Sequence, residues 1–543
     1  MNASAGKLSF TRAHLYEALL VLAFLLLCGF DLWHHAMWRD EMQPWVYARD
    51  SASIPEMFRN MRYETHPRLW YVILWGVARF AHNPVAAQIT HLIVVGSAIA
   101  LFVRYCPVAF YLKALITFGY YFVYEWGAIT RNYSLGALLC FVFCILFPRR
   151  DKGYLGLAVI LFLITQANLY AAALAASLGG LLMLEACLNP EVRSRAAAHK
   201  VDAALSFVLL YGGVLRSFQM AVTQPDAGIV NFVPGVTVGD RLAHAFAAAW
   251  DGFVPFPEPS LLGAWGWGMT GHTVFGPPAI HAILGAILLT LTTTFFWRSR
   301  LILLAYLGGT GVFLLLAFIK ADTYARQAGY FYLWLLVCLW LAHYFPVSSA
   351  SRQSASKPEK KRRSNARDVK PVGAAGRPFG LARKQTLLLC SILAVHIFDT
   401  VFLSIAGYYY NYSCGKAAAL YLEQHDLTKL PIFGYPDYTA MLVSGYADVP
   451  IYYPDTHRWG SFLIENNKRH CNWTPNQIMD AINDFAAQGH RDFVVLLSRP
   501  FMFQREGQVF EPEQLGNLHR LASFYPCMVG DEIYWIYRYT AAP

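Results

Sequence analysis

The sequence predicts an α-helical polytopic membrane protein of about eleven transmembrane helices, ending in a small extracytoplasmic α/β domain. Three observations carry that expectation. Of 543 residues, 56% are hydrophobic and only 14% are Asp, Glu, Lys or Arg, against about 25% charged residues in a soluble domain. The apolar residues come in blocks with scarcely a charge, among them 15–30, 89–103, 301–318 and 386–405. Beyond residue 406 the character changes to a mixture of Pro, charged residues and short β-rich runs.

A bilayer core of about 30 Å requires roughly 20 apolar residues in a helix. Helices are required because lipid offers backbone amides no hydrogen-bond partner. A signal peptide or a buried core helix explains one such block, not a series of them. The expected spans lie near 14–36, 85–105, 107–125, 132–148, 154–171, 172–188, 201–221, 276–297, 301–319, 327–346 and 386–406. The central stretch 154–188 can also hold a broken helix pair. Residues 66–80 are apolar but too short to span, and read as a helix at the outer interface, where their tryptophans sit well.

Orientation follows from the basic residues, which are in excess in cytoplasmic loops. Lys7 and Arg12 precede the first span, so the N-terminus is placed inside. Further clusters are Arg149, Arg150 and Lys152; Arg193, Arg195 and Lys200; and Arg298 and Arg300. The heaviest lies between residues 345 and 385, where eleven Lys and Arg face only Glu359 and Asp368, a local net of +9 in a chain whose net is +10. The basic balance therefore marks topology, not a nucleic-acid partner. The Ser/Lys/Arg-rich linker can also touch anionic lipid headgroups. The chain divides into a membrane domain (1–346), a basic cytoplasmic linker (347–385), a last span (386–406) and an outer domain (407–543).

In the outer domain Ser413 reads as the N-cap of a helix reaching about His425. Strands are expected at 430–433, 449–452, 493–497 and 533–539, with helices near 437–443, 475–487 and 512–522. Alternating strands and helices suggest a largely parallel sheet. Most of the ten cysteines lie in spans, where they act as small apolar residues. Only Cys414, Cys471 and Cys527 fall in the outer domain, allowing one disulfide with one thiol left over. There is no zinc-type Cys/His spacing, P-loop or internal repeat.

The chemistry-bearing residues gather on the outer face. The first outer loop begins Trp38-Arg39-Asp40-Glu41 and ends Tyr63-Glu64-Thr65-His66-Pro67-Arg68. One of two adjacent carboxylates can serve as a general base toward an attacking hydroxyl. The other can position the acceptor, bind a metal or pair with Arg39. Read alone, the pair is better explained as the solvated charge of a loop after a span. Spans 3 and 4 meet outside at Glu125-Trp126-Gly127-Ala128-Ile129-Thr130-Arg131-Asn132-Tyr133, and spans 9 and 10 meet around Lys320 to Arg326. Ionisable groups at membrane depth are costly and are functional or paired. Glu125 and Arg131 can simply pair with each other, and Arg326 can snorkel to the headgroups. Taken together, two arginines opposite a carboxylate pair suit a phosphate beside a base, because the planar guanidinium bonds two oxygens at once.

The layout of residues 14–346 resembles the GT-C glycosyltransferases, which use polyprenyl-phosphate-linked sugars as donors, and among them protein O-mannosyltransferases and lipid A aminoarabinose transferases. The resemblance is specific at Arg39–Glu41, His66–Pro67 and Arg131–Tyr133. It implies Asp40 as the base, with Glu41 supporting it or binding the acceptor. Arg39, His66, Glu125 and Tyr133 would line the substrate site, and Arg131 and Arg326 would hold the lipid phosphate. It implies a single inverting displacement at the anomeric carbon. The partners would be that donor, membrane lipids, and a glycan, lipid or protein acceptor outside the cytoplasm, with the active site facing the periplasm of a bacterial inner membrane. Members of the class differ on a divalent metal ion, and the residues leave it open. Two departures leave the sugar and acceptor open: Arg68 follows His66-Pro67 where a second proline is commoner, and Gln166-Ala167-Asn168 has no histidine. The outer α/β pattern is not the β-trefoil of eukaryotic O-mannosyltransferases. A lipid-carrier transporter, flippase or ligase, or a non-enzymatic assembly protein, is the alternative reading.

Overall fold

The computed structural model describes the chain except residues 1–2, 223, 229–234, 257–277, 322, 346–377, 471, 506–507, 512–516 and 542–543. Most of the basic linker and Asp322 thus lie outside the described residues. From the N-terminus run α1 (Ala3–His34), α2 (Arg39–Arg49), α3 (Ile54–Asn60), α4 (Leu69–Ala78), α5 (Val85–Tyr105) and α6 (Phe110–Thr117). A π-helical turn (Tyr121–Ala128) precedes α7 (Tyr133–Leu146), α8 (Leu155–Thr165), α9 (Leu169–Leu188), α10 (Pro190–Ala198) and α11 (Lys200–Ala221). Then come α12 (Val238–Phe253), α13 (Pro278–Thr293), α14 (Arg300–Lys320), α15 (Ala325–Ala342) and α16 (Arg383–Tyr409).

Among the described residues eight helical segments are long and apolar enough to cross a membrane: Arg12–His34, Val85–Tyr105, Tyr133–Asp151, Leu169–Leu188, Lys200–Ala221, Pro278–Phe296, Arg300–Lys320 and Arg383–Tyr409. Large apolar side chains such as Leu26, Val208, Leu215, Ile283 and Leu315 stand on their outer surfaces. That pattern is costly in water and favourable in lipid. The chain is built as a multi-pass membrane protein.

Three of the eleven expected spans are not among those eight. Residues 107–125 break into α6 and the π turn, 154–171 shorten to the eleven-residue α8, and 327–346 hold the continuous 18-residue α15. The physical reason is burial by protein: α15 is enclosed from Ala325 to Leu341, and irregular backbone is tolerated at membrane depth where protein covers it. Gly329 lets α15 meet the π turn closely, since a Cβ there would stand 2.5 Å from the Tyr121 ring. The apolar run 66–80 forms α4, which packs against α2 through its buried face of Trp70, Tyr71 and Leu74.

The C-terminal domain contains α17 (Gly415–Gln424), β1 (Ile432–Tyr435), α18 (Asp437–Ala447), β2 (Ile451–Tyr453), β3 (Arg458–Gly460), α19 (Pro475–Ala487) and β4 (Asp492–Leu497). It continues with the hairpin β5 (Phe503–Arg505) and β6 (Gln508–Phe510), then β7 (Leu518–Phe524) and β8 (Tyr534–Thr540). The main sheet has the order β3-β2-β1-β4-β8-β7. Only β2, β1 and β4 are parallel; the other three pairings are antiparallel. The expectation of a largely parallel sheet is corrected: α18 and α19 supply the long crossovers that parallel strands need, whereas no helix separates β7 from β8. The helix expected at 512–522 is corrected too. Residues 512–516 lie outside the described set, and Leu518–Phe524 is a strand paired with β8. Its side chains find a sheet edge to extend, which overrides local helical pattern.

Helix α2 is the joint between the two domains, buried at ten of its eleven positions. Met42 packs on Gly445 of α18, where a Cβ would lie 2.3 Å from the Met42 sulfur. The Tyr446 hydroxyl accepts from the Met37 amide at 2.7 Å, and Tyr47 donates to the Leu463 carbonyl at 2.8 Å.

Candidate functional site

Local sequence explains how α2 begins. Trp38 is extended at the N-cap position, and Glu41, three residues on, accepts from the Trp38 amide at 3.1 Å. Asp40 and Glu41 sit in the first turn, where carboxylates interact favourably with the helix dipole. Glu41 is fully enclosed and takes two further donors, His35 Nε2 at 2.6 Å and the Thr130 amide. Burial pushes its carboxyl up, but the imidazole and the amide donors outweigh that and hold it below the usual range. With both oxygens occupied, Glu41 anchors the turn. Asp40, its neighbour, keeps 20% of its side chain exposed.

Pro44 sets the next feature. It has no N–H, so the Asp40 carbonyl four residues earlier has no helical donor. Arg131 Nη1 fills that place. Its Nη2 stands 4.0 Å from Asp40 Oδ2 and 3.3 Å from His66 Nε2. Arginine can only donate, so in this contact Nε2 accepts, and Nδ1 donates to Glu64 Oε1 at 2.5 Å. Burial disfavours the Glu64 charge, but His66 and Arg131 hold its pKa at about 2.

Arg326 enters from the start of α15. Its Nη1 is 3.7 Å from Asp40 Oδ2, its Nε is 3.3 Å from Glu125 Oε1, and its guanidinium lies 5.1 Å from the centre of the Trp38 ring. Glu125 also accepts from Tyr120 at 2.6 Å. Tyr133, on the first turn of α7, is buried within electrostatic reach of Arg131 and Arg326. Burial opposes the charge of Arg131, but Asp40 more than restores it.

The structure thus brings Asp40, Glu41, His66, Glu125, Arg131, Tyr133 and Arg326 together. Arg39 turns the other way: Nη1 meets Asp531 at 2.7 Å, and its amide donates to Glu532 Oε1 at 3.1 Å. It ties α2 to the C-terminal domain and not to the two arginines. Among the described residues no group of three or more His, Cys, Asp and Glu is placed to hold a metal ion. Asp40 has guanidinium groups beside it where a divalent site needs further carboxylates.

Sequence reasoning missed Pro44, Glu64 and Glu465. Glu64 stood in the quoted His66 motif, and the spacing of Asp40 and Pro44 was a readable signal. Glu465 had none. It belongs to a segment of the C-terminal domain that pairs with residues 224–228: Gly228 N donates to the Glu465 carbonyl at 2.9 Å, and Asn467 N to the Asp226 carbonyl at 2.8 Å. Asp226 in turn accepts from Tyr63 at 2.8 Å. Burial, together with Glu64, Asp40 and Asp437 against the opposing Arg469, pushes the Glu465 carboxyl up to about 8. The chain segments of Tyr63, Asp226 and Glu465 thus meet one another. Comparison of the chain with family models, curated proteins and solved structures finds no match.

Proposed function

We propose that this protein is an inverting membrane glycosyltransferase, moving a sugar from a polyprenyl-phosphate carrier to a hydroxyl of an acceptor outside the cytoplasm, with the site on the periplasmic side of a bacterial inner membrane. The observation that carries this reading is the partly exposed Asp40 carboxylate, held 3.7 Å and 4.0 Å from two nearly buried guanidinium groups. The planar guanidinium of each arginine can bond two phosphate oxygens at once. A donor phosphate between them draws their charge away from Asp40.

The acceptor oxygen attacks the anomeric carbon while its proton passes to Asp40. The bond from that carbon to the phosphate oxygen breaks, and the lipid phosphate leaves with its charge matched by Arg131 and Arg326. Glu41, with its oxygens occupied, fixes the turn that presents Asp40. The test is sugar transfer from a labelled lipid-phosphate donor by the purified protein in vesicles. Asp40→Asn is expected to abolish transfer while the melting profile is retained, because basicity is lost with little change of volume. Transfer at the wild-type rate by that variant rejects the reading. Arg131→Lys and Arg326→Lys keep the charge and lose the fork, and should weaken donor binding by about 1.5–3 kcal/mol for each charged hydrogen bond lost.

A further inference from the structure

Residues 411–414, which follow the last membrane helix, run beside residues 527–532, which lead into β8. Met528 N donates to the Asn411 carbonyl at 2.9 Å, Val529 N to the Tyr412 carbonyl at 3.0 Å, and Cys414 N to the Glu532 carbonyl at 3.1 Å. This pairing places the Cys414 thiol against Cys527. Cys414 Sγ stands 3.9 Å from the carbonyl of Pro526, the residue before Cys527, and Cys527 Sγ stands 3.4 Å from the Glu532 carbonyl, the same oxygen that accepts from Cys414 N. Both residues are almost fully buried, at 2% and 1% exposure. Cys28, Cys140, Cys144 and Cys338 are buried in the membrane bundle, and Cys471 lies outside the described residues.

We propose that Cys414 and Cys527 are a disulfide site, closed as the C-terminal domain folds, which staples the exit of α16 to the loop carrying Asp531 and Glu532. The two thiols lose two protons and two electrons as the S–S bond forms. The acceptor is the disulfide of a thiol oxidant in the same compartment, which is reduced to a dithiol. From the proposed function the inference takes only the placement of this domain outside the cytosol, where disulfides persist. The staple matters to the site because Glu532 accepts from the Arg39 amide and Asp531 pairs with the Arg39 side chain, one residue before Asp40. It closes nearly the whole C-terminal domain into one loop, which restricts the unfolded chain.

The test uses the full-length protein, acid-quenched in its membranes and denatured in N-ethylmaleimide, then reduced and relabelled with a heavier maleimide for mass spectrometry. Cys414 and Cys527 are expected to carry only the second label, and an unreduced digest to contain their linked peptides. First label on both, or a link from either to Cys471, overturns the proposal. As a second readout, reduction should lower the melting midpoint by several degrees. The Cys414→Ser/Cys527→Ser double variant should melt at that lower value and no longer respond to reductant; an unchanged midpoint in both cases overturns the staple. The two readings fail separately: free thiols with Asp40-dependent transfer reject the disulfide alone, and a linked pair with transfer independent of Asp40 rejects the transferase alone.

Discussion

Pro44 and Asp40 are coupled through the backbone: the proline leaves the Asp40 carbonyl without its helical donor, and Arg131 occupies the vacancy. A proline inside a helix usually reads as a defect. Here it converts the first turn of α2 into a receptor for a guanidinium group. That bond leaves Arg131 Nη2 beside the Asp40 side chain, so main chain and side chain of one residue share one arginine.

Pro44→Ala restores an N–H that competes for the Asp40 carbonyl. It should stabilise α2 locally while loosening Arg131, with a fall of about tenfold or more in kcat/KM for the lipid-phosphate donor, the equivalent of one hydrogen bond to a charged group. Steady-state kinetics in vesicles checks this, and an unchanged kcat/KM would show that the carbonyl contact does not position Arg131.

Glu532→Gln should act on turnover rather than on donor binding. Glu532 touches neither proposed phosphate ligand, but accepts from the Arg39 amide at the start of the turn carrying Asp40. A kcat lowered about tenfold at constant donor KM is expected, since loosening of the base by an ångström raises the barrier without removing a phosphate contact. A raised KM with constant kcat would place the effect elsewhere.

Stability should fall as pH rises through the range where Glu465 titrates. Its folded-state pKa is about 8, above the ordinary 4.5. The folded form therefore holds a proton that the unfolded chain releases, and folding is progressively opposed between about pH 4.5 and 8. Glu532, also raised to about 8, and Asp455, raised to about 7, act in the same direction. Melting of the full-length protein at pH 5 and pH 8 should show the lower midpoint at pH 8. Glu465→Gln should remove part of the difference, on the order of a few kcal/mol. An identical pH dependence in that variant would mean that Glu465 is not the titrating group.

Single cysteines at Ser356 and Lys429 should be labelled from opposite sides of the membrane by an impermeant maleimide. Ser356 lies in the basic segment and Lys429 is exposed on the C-terminal domain. Labelling of both from one side would overturn the topology, which places a single crossing between them.

Much of the site was legible before the fold. Asp40, Glu41, His66, Arg131 and Arg326 all carry charge or a titratable ring at the edges of apolar blocks, where such groups are conspicuous, and all converge. Arg39 belongs to the same motif but faces the C-terminal domain, because successive residues of a helix point about 100° apart and only one direction can hold the pocket. Glu465 was invisible for a different reason. It is one glutamate among many charges in the C-terminal domain, and its meaning comes from Glu64 and Asp40 across a domain boundary. The strand Leu518–Phe524 was misread because its register belongs to β8, not to its own pattern.

By itself the sequence determined that this chain is built for lipid, where its apolar blocks lie, and where its unusual charges stand. Those are local properties, since each residue's transfer between water and hydrocarbon is decided close to its own place in the chain. Tertiary structure decided which apolar segments are enclosed as short or broken helices, which arginines share Asp40, and which two cysteines of the C-terminal domain lie on paired segments. Such meetings depend on packing between segments far apart in the chain, and no local periodicity encodes them.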